Sequence, residues 1–264
     1  MIILSEQQAV HGVEEGGWRV VAATVIGAMH ERKCELGQDA YAVGVENGLL
    51  VAALCDGAGS AVRGLEGARI GSRLVVEELL GHWDTQDALT EEVVQKRVLA
   101  AIEKARRVVM RLGNLAEYAA TLVGVIATME RGWFFHIGDG AGVALASIGH
   151  EAGSVVSRPE NGEYINETYF FTGNAWQEHI RITAFDKEKV LALMSDGVTP
   201  FAMLHGSIGV DERFVMPVFR YLSDVDPEQG ARALLGTLGC ESASKISDDD
   251  KTLLYLERVA LSEA

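Results

Sequence analysis

The chain has 264 residues, enough for one large domain or two small ones. Hydrophobic residues make up 48% and charged residues 23%, a balance that supports a sizeable core and argues against disorder. With 38 acidic against 23 basic residues the formal charge is -15, which argues against general nucleic-acid binding and against anionic membrane surfaces, since phosphate groups are repelled.

Residues 18–26, rich in Val, Thr and Ala, read as a strand. Residues 41–45 and 49–55 read as a hairpin around Glu46-Asn47-Gly48, whose Asn-Gly pair suits a tight turn. Two helices follow. Ala68, Gly71, Val75 and Leu79 share a face in the first; Val94, Val98, Ala101, Ile102, Ala105, Val108, Val109 and Leu112 repeat at three and four in the second, which Gly113-Asn114 ends. Residues 121–127 and 132–138 read as paired strands joined around Glu130-Arg131, with 141–147 as a third. Residues 158–167 are polar and read as a long loop, and Phe170-Phe171, 180–182 and 190–195 read as further strands. Asp226-Pro227-Glu228-Gln229 starts a helix by capping, with Ala231, Leu234, Leu235 and Leu238 as its apolar face. A last strand begins at Thr252.

The order is strands, two helices, strands, helices, strand. Regular βαβ alternation is absent, which favours an α+β domain: two antiparallel sheets packed together with helices outside, a four-layer α-β-β-α sandwich. No Pro- or Ser-rich linker divides the chain, so residues 1–264 are expected to form a single domain. Cys34, Cys55 and Cys240 show no CxxC spacing, which argues against zinc or a disulfide framework. The longest apolar runs, about ten residues, are too short to span a bilayer, and no signal peptide is seen. The expected location is cytoplasmic, with no membrane partner.

Asp56 ends one apolar run, Asp139 follows a second and Asp196 a third, while Asp39 and Asp249 precede two others. Strands of one sandwich can bring such ends together. Clustered carboxylates repel unless a cation neutralises them, and hard divalent cations want oxygen ligands, so the pattern suggests an Mg²⁺ or Mn²⁺ site. Asp-Gly recurs at Asp56-Gly57, Asp139-Gly140 and Asp196-Gly197, where glycine lets backbone approach an ion closely. His30 and His136 are possible acids or ligands, or simply packing residues.

The ordered set Gln38-Asp39-Ala40, Asp56-Gly57-Ala58-Gly59-Ser60, Thr121-Leu122, Gly138-Asp139-Gly140, Ser195-Asp196-Gly197 and Asp249-Asp250-Lys251-Thr252 resembles the metal-dependent protein phosphatases, the protein phosphatase 2C family. Gly27-Ala28-Met29-His30 and the segment 161–168 resemble its bacterial members. The resemblance spans about residues 20 to 257 and implies the α-β-β-α fold. It further implies two Mn²⁺ or Mg²⁺ ions held by Asp39, Asp56, Asp196, Asp249 and the Gly57 carbonyl, with Asp139 associated with a third.

The activity implied is hydrolysis of phosphoserine or phosphothreonine on proteins, by direct attack of a metal-bridging water or hydroxide. The partners implied are a phosphorylated protein substrate and a Ser/Thr kinase acting on it. Three positions depart from the family pattern: Ala58 stands where eukaryotic members have His, Cys34 where a phosphate-binding Arg is usual, and Pro200 where a further Asp is common. Arg32, Lys33 or His30 are the substitutes for that Arg, and His30 is a phosphate contact or proton donor. The departures leave two alternatives, a phosphoprotein-binding regulatory module and a small-phosphoester hydrolase.

Overall fold

The computed structural model describes residues 2–4, 10–83, 89–149, 153–157, 168–205 and 209–260. The first half contains β1 (Ile2–Leu4), β2 (Val10–Glu15), β3 (Trp18–Val25), α1 (Ala28–Lys33), β4 (Asp39–Glu46) and β5 (Leu49–Asp56). Two long helices follow, α2 (Gly64–Gly81) and α3 (Glu91–Leu112), then β6 (Leu122–Ala127), β7 (Gly132–Ile137), β8 (Ala141–Leu145) and β9 (Ser154–Ser157). The last third contains α4 (Trp176–His179), β10 (Arg181–Phe185), β11 (Val190–Met194), α5 (Thr199–Ala202), α6 (Glu212–Asp224), α7 (Pro227–Leu238), α8 (Glu241–Ile246) and β12 (Lys251–Arg258).

The strands form two six-stranded sheets, ordered β1-β4-β5-β6-β7-β10 and β2-β3-β12-β11-β8-β9, with every pairing antiparallel. The β4-β5 turn is left-handed at both centres, Asn47 at φ 52 and Gly48 at φ 79, which is the backbone that an Asn-Gly hairpin adopts most readily.

Alternation along the strands gives each sheet two apolar faces and the molecule three apolar layers. Between the sheets lie Val20, Ala22, Val43, Leu50, Leu54, Val125, Phe134, Leu193 and Leu254. On the outer face of the first sheet, Val51, Ile126 and Phe135 meet Val75 and Leu79 of α2 and Val98 and Ile102 of α3. On the outer face of the second, Val143, Ala192 and Tyr255 meet Phe219 of α6 and Leu234 of α7. This is the four-layer sandwich. Each fully buried Val, Leu or Phe contributes roughly 1.5–3 kcal/mol, so the layers outweigh any cap or surface pair.

The helix ends follow their local sequence. Asp226 caps α7 by accepting from Glu228 N and Gln229 N, and Thr90 caps α3 by accepting from Val93 N. One reading changes. Phe170-Phe171 is a turn: Phe171 N donates to Ala120 O at 3.0 Å and the ring packs under α2 and α3, so burial without a ladder produced its strand-like composition. His30 lies in the short helix α1, which ends at Cys34 in the left-handed region at φ 55. The loop expected at 158–167 lies outside the described residues, as does most of the 161–168 resemblance. Among the described residues no helix is long and apolar enough to cross a membrane.

Candidate metal centre

Five aspartates converge on one end of the sandwich. Asp39 opens β4 and Asp56 closes β5, and the two are direct partners across the hairpin. Asp139 follows β7, Asp196 follows β11, and Asp249 stands two residues before β12. Asp39 and Asp56 belong to one sheet, Asp196 and Asp249 adjoin strands of the other, and Asp139 lies in the β7-β8 connection between them, so the cluster spans the gap between sheets. One oxygen each of Asp56, Asp139 and Asp196 lie within 4.8 Å of one another, and a ring nitrogen of His30 forms a second such group with Asp249 and Asp250.

Asp39 sits between these groups. Its Oδ2 accepts from Thr252 Oγ1 at 2.6 Å, and Thr252 in turn lies 2.6 Å from Thr24 Oγ1. Asp139 Oδ2 accepts from Thr168 Oγ1 at 2.7 Å. The other oxygens of Asp39 and Asp139, and one of Asp196, are buried without a hydrogen-bond donor among the described residues. Buried polar atoms are ordinarily paired, and an unpaired charged one is costly.

The electrostatics agree. Burial raises Asp39 well above the usual carboxylate range, with Asp250 adding to it. Burial raises Asp56 likewise, followed by the charges of Asp39 and Asp196. Asp196 is pushed up to about 7 by burial, then by Asp139 and Asp249. Burial also raises Asp249. A set of all-oxygen, mutually repelling, donor-starved ligands fits hard divalent cations such as Mg²⁺ or Mn²⁺. The Gly57 carbonyl faces the Gln38 side chain, whose amide, turned so that its nitrogen points to the carbonyl, donates to it at 2.5 Å. A carbonyl oxygen has a second lone pair for an ion.

One acid of the cluster has a different task. Asp250 accepts from Gly27 N at 2.6 Å through Oδ1 and from Gln38 N at 2.5 Å through Oδ2. It thereby ties the start of α1, the start of β4 and the start of β12 into one knot. A Cβ on Gly27 would lie 2.3 Å from Asp249 C, and one on Gly197 would lie 2.0 Å from Asp250 O, so both glycines are required by close approach. Sequence patterning gave no sign of this role, because the partners of Asp250 are backbone N–H groups.

His30 is 3% exposed. Its Nδ1 lies 3.0 Å from Asp250 Oδ2, out of line for a formed hydrogen bond. Arg32 is exposed and paired with Asp248 at 2.7 Å. His136 is buried between the sheets, 3.2 Å from Ser157 Oγ, and burial with the nearby Arg181 charge holds it down to about 3, hence neutral.

The family model described as protein phosphatase 2C matches residues 26–239. The chain belongs to the protein phosphatase 2C family. The match stops short of Asp249, which the fold nonetheless delivers to the cluster. A serine-threonine phosphatase 2C from Toxoplasma gondii is similar over 97% of this chain and 99% of its own, with TM-score 0.69 and 12% identity. The catalytic domain of the serine/threonine phosphatase PstP, solved with two manganese ions, is similar over 92% of this chain and 99% of its own, with TM-score 0.60 and 16% identity. RsbX, solved with magnesium, is similar over 94% and 99%, with TM-score 0.57 and 13% identity. At these identities the likeness concerns the fold. No curated protein matches the chain in sequence.

Within this protein phosphatase 2C chain the three departures are structurally quiet. Ala58 N donates to Ala119 O at 2.9 Å, Cys34 closes α1, and Pro200 occupies the first turn of α5, where a missing N–H is harmless.

Proposed function

We propose that this chain is a metal-dependent Ser/Thr phosphoprotein phosphatase. The observation that supports it most is the set of buried oxygens of Asp39, Asp139 and Asp196 that the fold leaves without donors, at the meeting point of both sheets. Asp39, Asp56, Asp196, Asp249 and the Gly57 carbonyl would hold two Mn²⁺ or Mg²⁺ ions, and Asp139 a third. When bound, such cations lower the pKa of water and stabilise charge on phosphoryl oxygens.

The chain's own groups do the positioning. Thr252 fixes Asp39, Thr168 fixes Asp139, and the Asp250 knot fixes the segment carrying Asp249 relative to β4. The contact between His30 and Asp250 supports a role in holding that knot. Delivery of a proton to the leaving oxygen is the competing role. His30→Ala separates them: loss confined to phosphoserine peptides marks a proton donor, because an activated aryl phosphate needs little acid assistance, worth about 10²- to 10⁴-fold elsewhere. Equal loss on both substrates marks positioning or phosphate contact. Arg32, committed to Asp248 at the surface, is the weaker choice for a substrate contact.

The test of the reading is turnover of an aryl phosphate and of phosphoserine peptides with Mn²⁺, with Mg²⁺ and with a chelator. Turnover that survives the chelator would sink it.

A further inference from the structure

A cleft of about 630 Å³ opens beside the metal centre, between the α1-β4 connection and the start of α2. Its lining includes Cys34, Leu36, Gln38, Val62, Arg63 and Arg69. It adjoins the candidate ligands directly. Gln38 precedes Asp39, and its amide touches the Gly57 carbonyl from the cleft side.

Three properties of this cleft bear on what it can hold. Its rim carries two large apolar side chains held in water, Leu36 at 59% and Val62 at 89% exposure. Its two arginines stand on a protein of formal charge -15. Its two carboxylates each face a cation, Glu66 at 3.6 Å from Arg63 and Glu35 at 4.0 Å from Lys33, which leaves Arg69 as the arginine of the lining without a carboxylate partner among the described residues.

Arg63 is held in place. Nη1 donates to Tyr118 Oη at 2.6 Å, and the guanidinium carbon lies 5.5 Å from the Tyr118 ring centroid. Tyr118 itself is fully buried. A guanidinium has five donors, and this geometry uses few of them. Arg69, one turn and a half along α2, is exposed and has no side-chain partner among the described residues.

We propose that this cleft seats the segment of the phosphoprotein substrate that flanks the phosphorylated serine or threonine, with Arg63 and Arg69 selecting acidic side chains there and Leu36 and Val62 covering an apolar one. The proposal rests on the phosphatase reading above. Planar guanidinium groups favour carboxylate partners through paired hydrogen bonds. Arg69, with no carboxylate partner among the described residues, carries most of that selection, and the remaining donors of Arg63 add to it.

The experiment compares two phosphoserine peptides, one with glutamates beside the phosphoserine and one with alanines, and an aryl phosphate, all with Mn²⁺. The wild type should prefer the glutamate peptide in kcat/KM, mainly through KM. Arg69→Glu should lower that preference by about tenfold, since like charges across an interface repel. Val62→Asp should lower it as well.

A wild type that hydrolyses the aryl phosphate but does not distinguish the peptides overturns the cleft and leaves the phosphatase reading standing. An Arg69→Glu loss that is equal on peptides and aryl phosphate also overturns it, by assigning the arginine to the phosphoryl group. Absence of all turnover sinks the phosphatase reading instead. Anisotropy titration of the same peptides then decides the cleft alone, by whether Arg69→Glu weakens the glutamate peptide selectively. A concentration-dependent dimer that Val62→Asp abolishes would give the surface to a second copy and overturn the proposal.

Discussion

Strand β12 runs between two groups of buried carboxylates that the fold treats in opposite ways. Near its far end, Glu257 is 2% exposed and fully served: Oε1 accepts from Ser223 Oγ at 2.9 Å and lies 2.9 Å from Lys189 Nζ, and Oε2 accepts from Tyr255 Oη at 2.8 Å. At its near end, Asp39, Asp139 and Asp196 each keep a buried oxygen with no donor among the described residues. One chain thus shows that it can satisfy a buried acid when it needs the acid for structure. The three at the sheet ends are the acids we propose for a cation, and it is their clustering that sets them apart from a lone unpaired oxygen such as Glu188 Oε2.

The largest test of that contrast is removal of charge at each end. Asp56→Asn, Asp196→Asn or Asp39→Asn should each lower kcat/KM by about two or more orders of magnitude, because charge stabilisation by the cation is worth several kcal/mol. Thermal stability without metal should hold or rise, since one member of a repelling group is gone. A marked fall in metal-free Tm would place that residue in the class of Glu257.

Acidity should separate the ends next. Asp196 is pushed up to about 7 from an ordinary value of 3.8. A raised folded pKa means the folded state holds the proton more tightly. Its contribution to metal-free stability is therefore full below about pH 4 and lost as pH rises through about 7. Cation binding needs the deprotonated form, so apparent Mn²⁺ affinity should weaken by about tenfold per pH unit below 7 for each proton displaced. Melting curves with and without Mn²⁺ from pH 5 to 8 check both signs: metal-free Tm should fall as the Mn²⁺-induced shift grows.

Glu257→Ala should act only on stability. It strands the Tyr255 and Ser223 hydroxyls, while Lys189, half exposed, returns to water. The expected loss is about 1–3 kcal/mol in denaturant titration, with activity per folded molecule preserved. The smallest effect belongs to Asp250→Asn, which retains one acceptor for two backbone donors. One orphaned N–H costs about 1 kcal/mol, and Mn²⁺ affinity should drop about fivefold if the knot sets the ligand geometry. An Mn²⁺ affinity unchanged by Asp250→Asn would remove the knot from the account of the site.

Where the chain could be read in advance, the physics was local. The Asn47-Gly48 turn, the Asp226 cap and the apolar periodicity of α3 are each decided within a few residues. Asp56, Asp139 and Asp196 were visible because each ends an apolar run and precedes glycine. Other features depended on distant partners. Asp250 meets Gly27 N and Gln38 N across 223 and 212 residues, and nothing near it in sequence signals either. The sequence Val10–Glu15 is too mixed to read as a strand, yet β2 pairs with β3 along its whole length. Helix α6 is masked by Pro217, which the structure accommodates on an exposed face where the freed carbonyl can reach water.

The proposed ligands come from both sheets, with Asp39 and Asp56 on one, Asp196 and Asp249 beside strands of the other, and Asp139 in the β7-β8 connection that links them. A cation held among them would act as a rivet through the seam, joining layers that otherwise meet there by apolar contact, the Thr24-Thr252-Asp39 chain and the Asp250 knot. Its withdrawal should loosen both sheets together. Amide hydrogen exchange at the ends of β5 and β11 should then quicken in concert on chelation, while the Asn47-Gly48 end keeps its protection.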